Sequence, residues 1–170
     1  MKNFNVDGKR IYVSASYPRK SDALVLAEKL KSEGAIIVSQ WLYLDEGYKK
    51  RYDTNEERLR ALTKAARRDL SDLRLADALV CITGDSLTHG GRHAELGVVL
   101  ADGKPCILFG PREHVLHYCI PSELVFDKCF CECGGILYDG ECLLTERHGT
   151  GAGNSGHINC PCIDKQVDHE

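Results

Sequence analysis

Apolar positions along the chain follow two rhythms. Uninterrupted short runs read as strands, and apolar residues at steps of three and four read as helices. The run Arg10-Ile11-Tyr12-Val13-Ser14 is β-rich and ends in small polar residues. Residues 22–33 follow as a helix carrying Leu24, Ala27 and Leu30, with Ser21 as its N-cap and Gly34 as its stop. Residues 35–38 form a second apolar run. Asn55 then caps a long helix whose Leu59, Leu62, Ala66, Leu70 and Leu73 are predicted to form one buried stripe. Residues 78–83 are apolar almost throughout, which suits a parallel strand covered on both faces. A glycine-bearing polar loop, 84–91, leads into a helix over 92–101. Residues 105–109 give a fourth strand, and 124–126 a short fifth.

Strands alternating with helices predict an α/β fold, a Rossmann-like parallel sheet of about five strands flanked by helices. In such sheets ligands bind beyond the carboxyl ends of the strands. Chemistry is therefore expected in 14–20, 84–95 and 110–114. Periodic apolar patterning fades after residue 127, so the chain divides into an α/β domain over 1–127 and a Cys-rich appendage over 128–170.

Composition narrows the function classes. Of the 170 residues, 43% are apolar, enough for a real core. A net charge of −3 is no nucleic-acid footprint, and the basic stretch 49–68 is interleaved with Asp53, Glu56 and Glu57, which reads as a solvated helix face. No apolar run approaches the roughly 20 residues a membrane span needs, and the first residues hold no signal-peptide core. A cytoplasmic protein without membrane or nucleic-acid partners is expected.

The chemistry-bearing segment is Gly90-Gly91-Arg92-His93-Ala94-Glu95-Leu96-Gly97. Glu95 sits near the start of a helix that opens after a strand and a glycine-bearing loop. The positive end of the helix dipole favours its ionised form there. An ionised, partly desolvated carboxylate is a competent nucleophile toward an anomeric carbon; the bland alternative is a surface glutamate complementing the dipole. Asp77 closes the long helix, with Asp72 and Asp69 about one and two turns earlier. All three have ordinary readings as helix-surface or turn charges. Tyr12, on the first strand, is either a packing residue or a hydroxyl that holds a catalytic carboxylate.

Three segments together resemble a known family: Ile11-Tyr12-Val13-Ser14; Asp69 with Ala76-Asp77-Ala78-Leu79-Val80; and Gly91-Arg92-His93-Ala94-Glu95-Leu96-Gly97 with Gly103-Lys104-Pro105. In this order they look like the nucleoside 2-deoxyribosyltransferase superfamily, which includes the 2′-deoxynucleoside 5′-phosphate N-hydrolases. The Gly-Gly-Arg-His lead-in is similar to a phage-type subgroup. The resemblance implies that Glu95 attacks C1′ of the sugar, that Tyr12 orients Glu95, and that Asp77 helps the base to leave. It also implies a homo-oligomer whose neighbouring subunits complete each other's sites. At the position six residues before the nucleophile, transferases carry Asp and the hydrolases Ser; this chain has His89, with Asp85, Ser86 and Thr88 nearby. Gly91 and Arg92 are expected to contact the substrate as well. Ser14, Ser16, Arg19 and Lys20 follow the first strand, where the hydrolases hold a 5′-phosphate with Ser and Arg. A solvated basic turn is the equal alternative. Arg112 and His114, after the fourth strand, are further candidates to reach such a ligand, with His114 equally readable as a loop residue without a role.

The implied reaction is cleavage or transfer at the N-glycosidic bond of a nucleoside or nucleoside 5′-monophosphate, through a covalent glycosyl-enzyme and without a catalytic cofactor. The residues leave two alternatives open. One is a non-catalytic nucleotide sensor that uses the same pocket. The other is a glycohydrolase of NAD-like dinucleotides.

Nine cysteines are many for a reducing compartment. Cys129, Cys131, Cys133, Cys142, Cys160 and Cys162 form clusters from which four ligands for a structural zinc are expected, with His157 in reserve. The spacings are C-x-C rather than the usual C-x₂-C. Such a short, apolar-poor segment needs a staple to order itself. Cys81 and Cys106 lie within apolar strands and read as core residues.

Overall fold

The computed structural model describes residues 4–44, 51–84 and 90–126, and the backbone of 137–138 and 141–142. The strands are β1 Arg10–Ser14, β2 Ile36–Ile37, β3 Ala78–Ile82, β4 Cys106–Phe109 and β5 Val125–Phe126. They form one sheet in the order β2-β1-β3-β4-β5, and every neighbouring pair is parallel. The helices are α1 Lys20–Ser32, α2 Asn55–Leu75 and α3 Gly91–Ala101.

Alternation along the strands sends side chains to two cores. Ile11, Val13, Val80, Ile82, Ile107 and Phe109 pack with Ala23, Leu26, Ala27 and Leu30 of α1. Tyr12, Leu79, Cys81, Cys106 and Leu108 pack on the other face with Leu73 of α2 and Leu96 and Val99 of α3. The result is a three-layer α/β/α sandwich, and β3 and β4 are buried along their whole lengths, as their continuous apolar runs predict. Cys81 and Cys106 are buried free thiols of this core.

The boundaries differ from the sequence reading where caps differ. A 3-10 turn, Tyr17–Arg19, runs directly into α1, so Arg19 rather than Ser21 precedes the helix. Thr54, not Asn55, caps α2: its hydroxyl accepts a 3.1 Å hydrogen bond from the Glu57 amide.

The larger difference concerns the stripe on α2. Only Leu73 is buried; Leu59, Leu62, Ala66 and Leu70 are exposed. Length accounts for Leu59 and Leu62, whereas Ala66 and Leu70 lie in the carboxyl half and face away from the core. A helix of 21 residues is about 31 Å long, whereas the five-residue β3 spans about 17 Å. The amino half of α2 therefore overshoots the sheet, and its apolar residues find no described partner.

Leu137–Tyr138 and Glu141–Cys142 pair antiparallel, Leu137 opposite Cys142. The expected zinc ligands Cys129, Cys131, Cys133, Cys160 and Cys162, and the Cys142 side chain, lie outside the described residues. Among the described residues, no helix is long and apolar enough to cross a membrane, and no group of three potential ligands is placed to hold a metal.

Candidate active site

The strand order reverses at β1: one crossover leads to β2 on one side, and the next returns to β3 on the other. A crevice opens at such a reversal, beyond the carboxyl ends of β1 and β3. Those strands end at Ser14 and Ile82, and α3 starts from the same edge. Gly90 precedes it with φ +80, a left-handed conformation that suits glycine.

Glu95 lies on the second turn of α3, partly buried and turned toward β1. Tyr12 donates to its Oε1 at 2.9 Å, and Ser14 donates to its Oε2 at 2.5 Å. Tyr12 and Ser14 are both 0% exposed. The Tyr12 hydroxyl keeps its proton, since burial and then the Glu95 carboxylate push its pKa far up. For Glu95, burial outweighs the helix dipole. Desolvation lifts the carboxyl to about 7, against the hydrogen bonds from Ser14 and Tyr12 and the charge of Arg92, while Asp69 adds a further upward push. Near neutral pH the carboxyl is thus about half ionised, not firmly ionised as the dipole alone suggested.

Asp69 is near enough to raise both Tyr12 and Glu95. Its carboxylate accepts from Arg68 at 3.2 Å. Asp72, one turn on, is buried and receives the Gln40 amide at 3.0 Å and side-chain Nε2 at 2.8 Å, which anchors the 3-10 turn Gln40–Tyr43. That turn closes over β1: Ser39 Oγ accepts from the Val13 amide at 3.1 Å, and Trp41 Nε1 donates to the Val13 carbonyl at 2.9 Å.

Asp77 is not brought to Glu95. It sits at the amino end of β3, where Arg10 grips both oxygens at 2.7 and 3.1 Å and its own amide bonds the Arg10 carbonyl. The Arg10 side chain and amide hold its carboxyl down at about 2. Arg10 and Ser14 are four residues apart on β1, so Asp77 and the Glu95 carboxylate lie at levels about 13 Å apart along the strands.

The basic turn is also committed to internal partners. Arg19 donates to Asp22 at 2.9 Å and to the Thr83 carbonyl at 2.5 Å, joining the exits of β1 and β3. Lys20 Nζ reaches the Leu44 carbonyl at 2.6 Å. Ser16 Oγ is buried without a hydrogen-bond partner among the described residues.

Arg92, expected at the ligand, is buried and bonded to the protein itself. It donates to the Ile82 carbonyl and to Glu113 Oε2, both at 2.7 Å. Glu113 Oε1 takes the Gly84 amide at 2.7 Å. Glu113 therefore ties both ends of the segment between β3 and α3. Gly91 is the first residue of α3; Asp85, Ser86 and His89 lie outside the described residues. Arg112 holds the carbonyls of His117 and Ile120, and His114 stacks on His93 with ring centres 4.3 Å apart while capping the 3-10 turn Val115–Cys119.

Sequence reasoning gave Ser14 to the ligand and passed over Glu113. The Ser14 contact had a signal: Tyr12 and Ser14 are two apart on a strand and share a face. Glu113 had none, because its partners are distant in sequence.

No protein-family model matches the chain, and no curated protein matches its sequence. Among solved structures, the chain is similar to a 2-deoxyribosyltransferase from the psychrotolerant bacterium Bacillus psychrosaccharolyticus. The two are 22% identical, the match covers 68% of this chain and 82% of that one, and the TM-score is 0.46.

Proposed function

We propose that the chain cleaves or transfers at the N-glycosidic bond of a nucleoside or nucleoside 5′-monophosphate, with Glu95 as nucleophile. One observation carries the reading. A carboxylate that titrates near neutrality is held by two buried hydroxyls, at the strand-order reversal where α/β sheets bind ligands. The family resemblance of the segments around Tyr12, Asp69 and Glu95 supports the choice of bond.

In the first step a Glu95 oxygen bonds to C1′ as the C1′–N bond breaks, and that electron pair leaves with the base. Asp69 is the carboxyl group beside the Tyr12–Glu95 pair and takes the part of protonating or steering the departing base, in place of Asp77. In the second step water or an acceptor base attacks C1′, the ester bond breaks, and Glu95 returns as a carboxylate. Two displacements retain the anomeric configuration. The proton removed from the second nucleophile returns to the acid that served the base. No catalytic cofactor enters these steps. The zinc of the Cys-rich appendage, the homo-oligomer and the cytoplasmic setting belong to the same proposal.

The test is incubation of the protein with deoxy- and ribonucleosides and their 5′-monophosphates, with and without an acceptor base. Free base should appear with the wild type and fall by at least about 10³-fold with Glu95→Ala. Dependence on the acceptor separates transfer from hydrolysis. Binding without turnover in both proteins would favour the sensor instead.

A further inference from the structure

We propose that Ser14 is a positioning residue, which with Tyr12 forms a two-hydroxyl clamp on the Glu95 carboxylate, and that it does not contact a substrate phosphate. The inference rests on Glu95 being the working carboxylate of the reading above.

The geometry is specific. Tyr12 and Ser14 are successive inward positions of one strand face, and each supplies one O–H to a different oxygen of Glu95, Oε1 at 2.9 Å and Oε2 at 2.5 Å. A carboxylate held at one oxygen can swing about its last bond; one held at both is fixed in plane and direction. Both hydroxyls are fully buried, so neither can turn to water without cost. The charges of Asp69 and Asp72 also reach Tyr12, yet both hydroxyls donate to Glu95. The Cys81 thiol, opposite Ser14 in the β1–β3 register and within hydrogen-bond reach of it, is pushed up to about 12 by burial against that contact and keeps its own proton. A phosphate contact would require Ser14 to be reachable from the crevice and to have its proton free, and it satisfies neither condition.

The groups acting on Glu95 come from each layer around it. Ser14 and Tyr12 on β1 donate to it, Arg92 on its own helix favours its charge, and Asp69 on α2 opposes it. Cys81 on β3 is neutral. Among these, the Ser14 hydrogen bond is the largest influence favouring the ionised form. Removing it should therefore raise the pH at which Glu95 ionises.

The experiment follows Glu95 directly, by carbon NMR of the side-chain carboxyl in protein labelled at glutamate and assigned with Glu95→Gln. In Ser14→Ala the Glu95 titration midpoint should rise by roughly one pH unit, the size of one hydrogen bond to a charged group. Ser14→Thr, which keeps the hydroxyl, should restore it. Where the panel has identified a substrate, the acidic limb of the Ser14→Ala rate profile should move by the same amount. KM for a monophosphate relative to its nucleoside should stay unchanged. An unmoved midpoint in folded Ser14→Ala overturns the clamp, as does a selective rise in KM for monophosphates with the limb in place. The titration needs no turnover. A wild type that releases no base therefore defeats the proposed reaction while leaving the clamp to be judged by its own measurement.

Discussion

At the scale of single residues, Glu95 is a carboxylate the fold would rather leave protonated. Its ordinary value is 4.5 and burial lifts it to about 7. The sign follows from proton binding. Between pH 4.5 and 7 the folded chain holds a proton that the unfolded chain has lost, so stability falls as pH rises through this window. Below it both states are protonated; above it neither is, and the full cost is carried, at most about 3 kcal/mol. Glu95→Gln removes the charge while keeping the shape. It should be more stable than the wild type by about 1–3 kcal/mol at pH 8 and about equal to it at pH 4.5, as read by urea unfolding at both values. An equal difference at the two pH values would show that Glu95 is not desolvated in the folded chain. Glu95 and Tyr12 were legible in the sequence because one follows a strand–loop–helix junction and the other lies in a β-rich run. The partner of Asp77 was not. Arg10 lies 67 residues away, and only strand register brings the two together.

At the scale of elements, strands and helices could be read to within a residue or two, because apolar period and length both bear on them. What lay beyond the sequence was how the loop before α3 is anchored. Arg92 has a side chain only 2% exposed, and its charge is answered by Glu113 from the segment after β4. A buried cation that loses its partner is costly. Glu113→Ala should destabilise the chain by about 2–4 kcal/mol, and it frees the Gly84 amide as well. Chemical denaturation checks the first effect. A rise in KM with little change in kcat, measured on any substrate the panel yields, checks whether the freed loop serves binding. A loss below about 0.5 kcal/mol would mean that Arg92 finds another acceptor.

At the scale of the whole molecule, the amino half of α2 is the feature that periodicity misplaced. A stripe at helical spacing tells that a face is apolar, not what covers it. Leu59 and Leu62 are 65% and 39% exposed on the amino half of the helix. Two such helices running antiparallel would cover each other's Leu59 and Leu62, an isologous contact of the kind homodimers use. Sedimentation velocity should find the wild type at least dimeric, and the double variant Leu59→Glu, Leu62→Glu monomeric. A monomeric wild type would set this assembly aside.

Among the described residues, the outermost strands of the sheet, β2 and β5, have two residues each. A long bare strand margin is a template on which foreign chains can add and from which fibres can grow. Each margin of this sheet offers an incoming segment only a few backbone groups, too few to hold it in register. The brevity of these two strands guards the folded chain against runaway polymerisation, and it leaves helical surfaces as the place where copies can meet.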